Sequence, residues 1–408
     1  MPGSKSHTIR AVAVASLAAG TSRILRPLEA ADTQSCVTAF RSLGAKIDTA
    51  LGVWTITGVG GCPLPAENVV DVGNSGTTLY VAMGASALAK GWTVFTGDEQ
   101  IRRRPAQALI SAIGDLGGES FSTRDNGRPP LLVKGPILGG PLDLDCSRTS
   151  QYLTSLLLAA PLAKRDTKIR VAQLVEQPYI EMTLAWLGAQ DIQLDHAAMD
   201  YFLVKGGQSY RAFERSIPGD FSSATFFLCA AAITGSSLRL TGLDMNDSQG
   251  DKAVVGMLAD MGARVETGGG GVTITGGPLK GGRFDLKATP DALPALAVTA
   301  CFAEGETTLW NVKQAREKET DRISVMCAEL RKMGARVEEL PDGLVIRGSR
   351  LRGAIVRGHG DHRVVMALTV AGLAAAGETI VDTAESAAVT FPKFVTLLQR
   401  VGGKVAVA

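Results

Sequence analysis

The sequence contains few of the residues that build metal sites and disulfide frameworks. Its 408 residues include four His and six Cys, and no two cysteines have the CxxC spacing. Cysteines scattered in this way are typical of buried thiols in a reducing compartment and not of disulfides or zinc sites. We therefore expect no metal site.

Charge of one sign is not in excess either. Forty-two Lys and Arg residues nearly balance forty Asp and Glu residues. The protein as a whole therefore has no strong positive electrostatic field that would attract nucleic acid or an anionic membrane. We expect neither partner, and any anion-binding site must be local.

Long apolar runs are missing as well. A membrane-spanning helix needs roughly 20 apolar residues, and stretches such as 156–160 are soon interrupted by Pro161 and Lys164. The first residues, Met1 to Lys5, have no apolar signal-peptide core. The composition, 45% hydrophobic and 20% charged residues, is that of a globular protein, for which we predict a cytoplasmic location.

A short phrase recurs along the chain, in which an apolar residue and Gly precede a strand-like run. Its glycines are 68 to 74 residues apart: Gly44, Gly117, Gly188, Gly262, Gly334 and Gly402. After five of these phrases a second alternating run ends in another Gly, which is the pattern of an antiparallel strand pair. The second runs are 53–58, 131–135, 202–206, 272–276 and 344–348.

Each repeat also contains an Ala-rich stretch that is predicted to be a helix. Apolar residues lie almost all round these stretches, which is typical of helices buried within a domain. A second helix, such as 106–116, carries the Gly phrase at its end, where Gly suits a left-handed cap. The pattern predicts six β-α-β-α-β-β units.

The length and the repeat together predict two domains. We predict an α+β fold of two similar domains, each with three units and buried central helices. The dividing line is the turn at 216–219. The first domain spans 4–217 and the second spans 218–408 with 1–3, and hinges are expected near 1–4 and 216–220.

The residues just ahead of the buried helices are more polar than a core requires. Helix capping explains Ser, Thr, Asp and Asn at such positions, and for any one loop it remains an equal alternative to ligand binding. The loops are Ser4-Lys5-Ser6-His7-Thr8, Asn74-Ser75-Gly76-Thr77-Thr78, Arg148-Thr149-Ser150-Gln151, Asp220-Phe221-Ser222-Ser223, Thr289-Pro290-Asp291 and Gly360-Asp361-His362-Arg363.

Capping does not explain the cations in these loops, among them Lys5, Arg148 and Arg363. A cation near a helix start opposes the helix dipole by a few tenths to about 1 kcal/mol. It is reasonable if an anion binds there, because free backbone N–H groups at a helix start bind phosphate and Lys or Arg adds charge. Several such loops together predict a site for more than one phosphate.

Two further segments are rich in charge. Three Arg residues precede Pro105, which by itself is typical of a surface turn. The segment 316–322 by itself is typical of a solvated helix start.

Nine motifs stand in order along the chain. They are Pro2-Gly3-Ser4-Lys5-Ser6 with Arg10, Gly73-Asn74-Ser75-Gly76-Thr77-Thr78, Arg104-Pro105, Ser150-Gln151-Tyr152-Leu153-Thr154, Pro178-Tyr179, Gly219-Asp220, Pro290-Asp291-Ala292, Lys318-Glu319-Thr320-Asp321-Arg322 and Asp361-His362-Arg363. In this combination the chain resembles the enolpyruvyl transferase family, specifically its 5-enolpyruvylshikimate-3-phosphate synthases, over essentially its whole length.

The resemblance implies a two-domain fold of three units each, an inside-out α/β barrel that closes on its substrates. It also implies transfer of the enolpyruvyl group of phosphoenolpyruvate to the 5-hydroxyl of shikimate 3-phosphate, through a tetrahedral intermediate that releases phosphate. This reaction belongs to the shikimate pathway to aromatic amino acids. No metal or organic cofactor is implied, and we expect a monomer.

The resemblance also implies roles for single residues. Asp291 would be the base that takes the 5-hydroxyl proton, and Glu319 the acid that protonates the vinyl carbon. Gly76 would allow close approach of the ligand, Arg104 would bind the phosphate of phosphoenolpyruvate, and Arg322 and Arg363 its carboxylate. Lys5 would contact both substrates. Shikimate 3-phosphate would be bound by Ser6, Arg10, Thr149, Ser150, Gln151, Asp291, Gln314 and Lys318.

Proton transfer by Glu319 needs a suitable pKa and a pocket poor in water. Many cations are expected near Glu319, and they would hold its carboxylate ionised. Burial, which raises the pKa of a carboxyl group, must offset their effect.

Several residues depart from the family pattern. Glu176 replaces a Ser that is a ligand of the shikimate phosphate, and a carboxylate repels phosphate. Either a cation such as Arg148 neutralises Glu176, or Glu176 points away, or the acceptor is different. Val389 and Tyr80 replace a Lys and a common Arg, which weakens the expected ring of cations. Gln314 stands where some members have Asn and keeps the amide chemistry.

The family normally has a strand before the first loop. We expect that strand to complete the sixth unit by pairing near Val405. Without it a sheet edge is open, and Lys5 lies close to a chain terminus.

Two alternatives remain open. UDP-N-acetylglucosamine enolpyruvyl transferases share the fold and the chemistry, so the acceptor could be a UDP-sugar. Their hallmarks are a Lys-Asn pair in the first loop and a nucleophilic Cys, whereas this chain has Lys5-Ser6 and no Cys near Arg104. The second alternative is a catalytically impaired paralogue that only binds ligand. Glu176 favours this reading, while Asp291 and Glu319 argue against it.

Overall fold

The structure is a computed structural model, and it describes residues 1–407. Contacts within the chain divide it into two compact units. The N-terminal unit is Gly3–Ile217, and the C-terminal unit is Met1–Pro2 together with the chain from Pro218 onward. Each unit has its own buried apolar core. The domain boundaries and hinges drawn from the repeat stay predictions.

The N-terminal unit alternates helices with short strands. Its helices are α1 (Lys5–Leu17), α2 (Ala31–Ser42), α3 (Gly76–Ser86), α4 (Gln107–Asp115), α5 (Gln151–Ala159) and α6 (Gln177–Gly188). Its strands are β1 (Thr21–Leu25), β2 (Lys46–Ala50), β3 (Val53–Thr57), β4 (Val70–Asp71), β5 (Trp92–Thr96), β6 (Glu119–Ser122), β7 (Leu131–Lys134), β8 (Pro141–Asp145), β9 (Thr167–Ala172), β10 (Leu194–Ala197), β11 (Tyr201–Val204) and β12 (Glu214–Ser216).

The C-terminal unit repeats this plan. Its helices are α7 (Phe221–Thr234), α8 (Ala253–Asp260), α9 (Leu293–Cys301), α10 (Arg322–Lys332), α11 (His362–Ala374) and α12 (Phe394–Arg400). Its strands are β13 (Ser237–Thr241), β14 (Arg264–Gly268), β15 (Gly271–Thr275), β16 (Arg283–Asp285), β17 (Glu306–Trp310), β18 (Arg336–Leu340), β19 (Gly343–Arg347), β20 (Ile355–Val356) and β21 (Ile380–Val381).

The sheets show how each repeat folds. In the N-terminal unit their strand orders are β12-β1-β3-β2, β4-β5-β7-β6 and β10-β11-β9-β8, and in the C-terminal unit β13-β15-β14, β16-β17-β19-β18 and β20-β21. In a complete repeat the first two strands are parallel and a helix connects them, while the last two form an antiparallel pair. The predicted strand pairs are confirmed. The predicted order is complete in the repeats that begin at β4, β8 and β16, whereas the first repeat begins at α1 and the sixth has no strand after α12 in the described residues.

The helix that follows each polar loop is the buried one. In α1 every residue from His7 to Leu17 is buried, and α3, α5, α7, α9 and α11 are buried over most of their length. Since an all-round apolar helix must be covered on all sides, it lies inside its unit with its polar start at one end. The polar loops are thereby held on buried helices.

The glycines of the repeated phrase confirm the predicted cap, with one exception. Five of them follow a helix with φ between +89° and +109°. Gly188 is instead the last residue of α6, and Asp191 takes the left-handed conformation with φ +56°. Asp tolerates that conformation better than most residues, so the turn moves three positions along the chain.

The first strand position of two repeats is occupied by a distant segment. Strand β12 follows the third repeat but pairs in parallel with β1. In the C-terminal unit the N-terminal amino group of Met1 donates to the Thr241 carbonyl at the end of β13 (2.9 Å). This contact places Met1 beside the end of β13. The expected pairing of a preceding strand near Val405 stays a prediction.

None of the helices in residues 1–407 is both long and apolar enough to cross a membrane.

Candidate active site

In the N-terminal unit the first loop begins α1 and brings Lys5 to a buried carboxylate. The Lys5 Nζ lies 3.0 Å from Asp32 Oδ2, at the start of α2. Both side chains are largely shielded from water, 18% and 6% exposed, so the ion pair is stronger than one at the surface. The pair fixes the ammonium group at the start of α1.

Arg10, one turn further along α1, is buried. It donates from Nη1 to the Ser6 carbonyl (3.0 Å) and from Nη2 to the Tyr179 carbonyl (2.8 Å). Its Nε donates to Thr183 Oγ1 (3.0 Å). Burial lowers the pKa of Arg10 to about 10, so the group stays charged at neutral pH. These contacts tie α1 to α6, and the direct binding of shikimate 3-phosphate by Arg10 and Ser6 stays a prediction.

A second group of candidates meets at the start of α3. A Cβ atom added to Gly76, the first residue of the helix, would lie 3.8 Å from Cζ of Arg104. The Arg104 guanidinium therefore lies beside the free N–H groups of the helix. The adjoining turn is held by Asn74, which donates to Gln100 (2.8 Å) and to Asp98. A guanidinium beside a helix start can bind a phosphate group.

The start of α5 carries the third group, Thr149, Ser150 and Gln151. The Gln151 backbone N–H donates to Thr149 Oγ1 (3.2 Å), and Gln151 Oε1 is buried and accepts no hydrogen bond from residues 1–407. Ser150 Oγ donates to Glu176 Oε2 (3.2 Å). Glu176 is 2% exposed and has φ +55° at the start of α6. Glu176 therefore contacts Ser150, a residue predicted to bind shikimate 3-phosphate, and how it acts on the phosphate stays a prediction.

In the C-terminal unit the arginines predicted to bind the carboxylate of phosphoenolpyruvate lie in one cluster with the acidic residues predicted to transfer protons. Arg322, the first residue of α10, is 1% exposed. Its Nη1 lies 2.8 Å from Asp291 Oδ1, its Nε 2.8 Å from Asp361 Oδ2, and its Nη2 pairs with Glu319. Arg363 Nη2 lies 2.9 Å from Asp291 Oδ2. Asp291 thus bridges two guanidinium groups.

The electrostatics of this cluster follow from burial and pairing. Burial opposes the charge of Arg322, but the carboxylates of Asp361 and its neighbours outweigh it and raise the Arg322 pKa. Burial by itself would raise the pKa of Asp361, and Arg322 lowers it below the ordinary range of Asp. The pKa of buried Asp251 is raised, first by burial and then by the nearby charge of Asp291.

Carboxylates accompany the cations of this cluster, and the expected effect of cations on Glu319 stays a prediction. Four carboxylates, those of Asp251, Asp291, Glu319 and Asp361, accompany the guanidinium groups of Arg322 and Arg363. The reason is that each Arg at a helix start is buried and needs charged partners, which the sequence supplies from distant loops.

The remaining candidates lie between β17 and α10. Gln314 is largely buried, and its Nε2 donates to the Lys287 carbonyl (3.1 Å). Lys318 ends the 3-10 turn that holds Gln314. Their predicted contacts with shikimate 3-phosphate stay predictions.

Sequence reasoning gave no role to Asp32, Asp251 or Asp361. The position of Asp361 contained a signal, because an Asp directly before a helix start is a common cap, and it accepts a hydrogen bond from the Arg363 backbone N–H (2.9 Å). Asp32 and Asp251 lie far along the chain from the groups they accompany, so no local pattern could show them.

The chain is similar to known proteins over its whole length. The sequence model of the EPSP synthase family, described as 3-phosphoshikimate 1-carboxyvinyltransferase, matches residues 1–398. Proteins with the name 3-phosphoshikimate 1-carboxyvinyltransferase from Ruminiclostridium cellulolyticum and Acetivibrio thermocellus are each 54% identical over 405 residues, which is 99% of this chain and 96% of theirs. A solved structure of EPSP synthase from Acinetobacter baumannii matches 100% of this chain and 96% of its own chain, at a TM-score of 0.84 and 29% identity.

This likeness confirms the predicted fold class. A family match over nearly all of the chain, together with full-length relatives of this identity, leads to one conclusion. The chain belongs to the EPSP synthase family.

Proposed function

We propose that this protein transfers the enolpyruvyl group of phosphoenolpyruvate to the 5-hydroxyl of shikimate 3-phosphate and releases phosphate. The observation that carries the proposal is the cluster in the C-terminal unit, in which Asp291 and Glu319 share the buried Arg322. This cluster supplies two carboxylates for proton transfer and guanidinium groups for a substrate carboxylate. Family membership supports the same reaction.

The anionic substrates are bound by groups at the helix starts. Arg104 and the start of α3 at Gly76 bind the phosphate of phosphoenolpyruvate, and Arg322 and Arg363 bind its carboxylate. The residues that bind shikimate 3-phosphate are Lys5, Ser6, Arg10, Thr149, Ser150, Gln151, Asp291, Gln314 and Lys318.

The pairing of Asp291 suggests how its basicity depends on substrate. Without substrate its carboxylate is held by Arg322 and Arg363 at 2.8 and 2.9 Å, and a carboxylate stabilised in this way is a poor proton acceptor. The carboxylate of phosphoenolpyruvate competes for the same guanidinium groups. Its binding releases Asp291, which then accepts the proton of the 5-hydroxyl.

The reaction then proceeds in two steps, an addition followed by an elimination. The 5-hydroxyl oxygen attacks C2 of phosphoenolpyruvate while Glu319 donates a proton to C3, which gives a tetrahedral intermediate with a methyl group. Loss of a proton from that methyl group to Glu319 and departure of phosphate restore the double bond. Lys5 stabilises the charge that develops on the substrate oxygens.

Phosphate release from phosphoenolpyruvate tests the proposal. We expect turnover with shikimate 3-phosphate and none with UDP-N-acetylglucosamine. Normal binding of shikimate 3-phosphate without any turnover would favour the impaired paralogue, and turnover with the UDP-sugar alone would show a different acceptor.

A cytoplasmic location and a monomeric state are part of the proposal. Sedimentation of the purified protein should give one species of 42.6 kDa, and a concentration-dependent mass would contradict the monomer.

A further inference from the structure

One carbonyl group in the N-terminal unit accepts hydrogen bonds from two buried hydroxyl groups. The Pro105 carbonyl oxygen lies 2.7 Å from the hydroxyl of Tyr80 and 2.6 Å from that of Tyr152. Both tyrosines are 2% exposed. Their rings pack edge to face with centroids 5.0 Å apart, an arrangement that favours one orientation of each ring. We call Tyr80 and Tyr152 the tyrosine pair.

The helices that carry the tyrosine pair leave the rings little freedom. Tyr80 is on α3 and Tyr152 on α5. Ser155 Oγ of α5 donates to the Tyr80 carbonyl (2.5 Å). A Cβ atom added to Gly84 would lie 2.4 Å from the same Ser155 Oγ, so the two helices are in direct contact. The hydroxyl groups are therefore held at a fixed spacing around the Pro105 carbonyl.

The Pro105 carbonyl lies next to Arg104, the residue proposed to bind the phosphate of phosphoenolpyruvate. Arg104 immediately precedes Pro105 in the chain, and its guanidinium lies beside the start of α3 at Gly76. Tyr80 is one turn beyond Gly76 on that helix, and Tyr152 immediately follows Gln151 at the start of α5. The Pro105 carbonyl thus connects the backbone of Arg104 to both helix starts.

We propose that the tyrosine pair positions Arg104 for the phosphate of phosphoenolpyruvate, an inference that rests on the proposed function. Fixing the Pro105 carbonyl fixes the backbone from which the Arg104 side chain extends. A guanidinium that is already in place loses less freedom when it binds the phosphate, and this favours binding. Tyr80 therefore contributes a hydroxyl donor where many family members have an Arg.

The test removes the hydroxyl groups and keeps the rings. We expect Tyr80→Phe and Tyr152→Phe each to raise the KM for phosphoenolpyruvate about threefold to tenfold, the range for one lost hydrogen bond. The double variant should raise it further, while the KM for shikimate 3-phosphate stays within about twofold. Direct binding of phosphoenolpyruvate, measured by calorimetry in the presence of shikimate 3-phosphate, should weaken in parallel.

Tyr210→Phe is the matched control. Tyr210 is 1% exposed in the same unit, and its hydroxyl donates to the Leu158 carbonyl of α5 (2.8 Å), at the opposite end of the helix from Tyr152. This variant should lose a similar amount of thermal stability and keep both KM values. The comparison separates positioning of Arg104 from general loss of a buried hydrogen bond.

Three results would overturn the inference: an unchanged KM for phosphoenolpyruvate in a folded double variant, an equal rise of both KM values, or the same change in Tyr210→Phe. A wild-type protein without phosphate release would contradict the proposed function instead. In that case the calorimetric affinities for phosphoenolpyruvate still decide whether the tyrosine pair acts on Arg104.

Discussion

In the proposed site the position and the hydrogen bonds of single side chains depend on one or two buried neighbours. Lys5 is held by Asp32 at 3.0 Å, and Ser150 donates to Glu176 at 3.2 Å. In the first case a carboxylate keeps a cation in place. In the second a carboxylate accepts the hydrogen bond of a hydroxyl group that the family resemblance assigns to the binding of shikimate 3-phosphate. The two cases predict opposite effects when one side chain is changed.

Replacing Lys5 by Ala should lower kcat by roughly 100-fold or more. The loss of one donor to developing negative charge typically costs about 2.7 to 4 kcal/mol of transition-state stabilisation. Steady-state phosphate release measures the effect, with the exposed Lys46→Ala as control. Near-normal turnover of the Lys5 variant would remove Lys5 from the mechanism.

Glu176→Gln should lower the KM for shikimate 3-phosphate about tenfold and leave that for phosphoenolpyruvate unchanged. The substitution keeps the size of the side chain and removes a buried negative charge that repels the phosphate. Shikimate without its phosphate provides the comparison, since its binding should not change. Glu181→Gln, on the same helix, is the control variant. An equal change for both ligands would show that Glu176 does not act on the phosphate.

At the scale of elements, α10 and α11 begin in the same cluster. Arg322 starts α10 and pairs with Asp361, whose side chain caps α11 at the Arg363 backbone N–H. Asp361 is fully buried. A single carboxylate therefore joins two helix starts, because it contacts the guanidinium of Arg322 and the backbone N–H of Arg363.

Asp361→Asn should destabilise the protein by about 3 kcal/mol and reduce kcat. Asn can still cap α11, but Arg322 loses a buried charged partner, and breaking a buried ion pair typically costs about 3 to 5 kcal/mol. We place the effect at the lower end because Asp291 and Glu319 remain beside Arg322. The melting temperature and phosphate release measure it.

The exposed pair of Arg347 and Glu306 provides the control. Its side chains are 61% and 49% exposed, so Glu306→Gln should change stability by less than about 1 kcal/mol. If Asp361→Asn is no more destabilising than this variant, the contacts of Asp361 with the two helix starts do not stabilise the protein.

For the whole molecule, the buried thiols predict how stability depends on pH. Burial is the main cause that raises the pKa of Cys146, Cys229 and Cys301 to about 12 in each case. Well below pH 9 these thiols are protonated in both the folded and the unfolded chain, and their contribution to stability is complete. Above pH 9 the unfolded chain ionises first, so stability is lost between about pH 9 and 12.

We therefore expect the melting temperature to fall from pH 8 to 10.5. Each buried thiol contributes a slope on the order of 1.4 kcal/mol per pH unit above pH 9. Cys229→Ala should flatten the fall, even though the lost side chain costs some stability at pH 8, whereas the exposed Cys62→Ala should keep the wild-type slope. An unchanged slope in Cys229→Ala would exclude the thiol as a cause.

The repeat, the strand pairs, the buried helices and the polar loops at their starts could all be predicted from the sequence. Each of these depends on spacing within about 70 residues, and periodic apolar positions or a polar helix start can be recognised locally. The motifs also indicated the family. Gly188 shows the limit of this reasoning, because the turn could form at Asp191 with nearly the same local sequence.

Which charged groups and hydrogen-bond donors lie side by side depends on the packing of the folded chain. Asp32 reaches Lys5 across 27 residues, Asp361 reaches Arg322 across 39, and Tyr152 reaches Pro105 across 47. Such contacts depend on how buried helices pack in three dimensions, and burial then selects the partner, since a desolvated charge or carbonyl is stable only with a complementary group beside it. No local pattern encodes that choice.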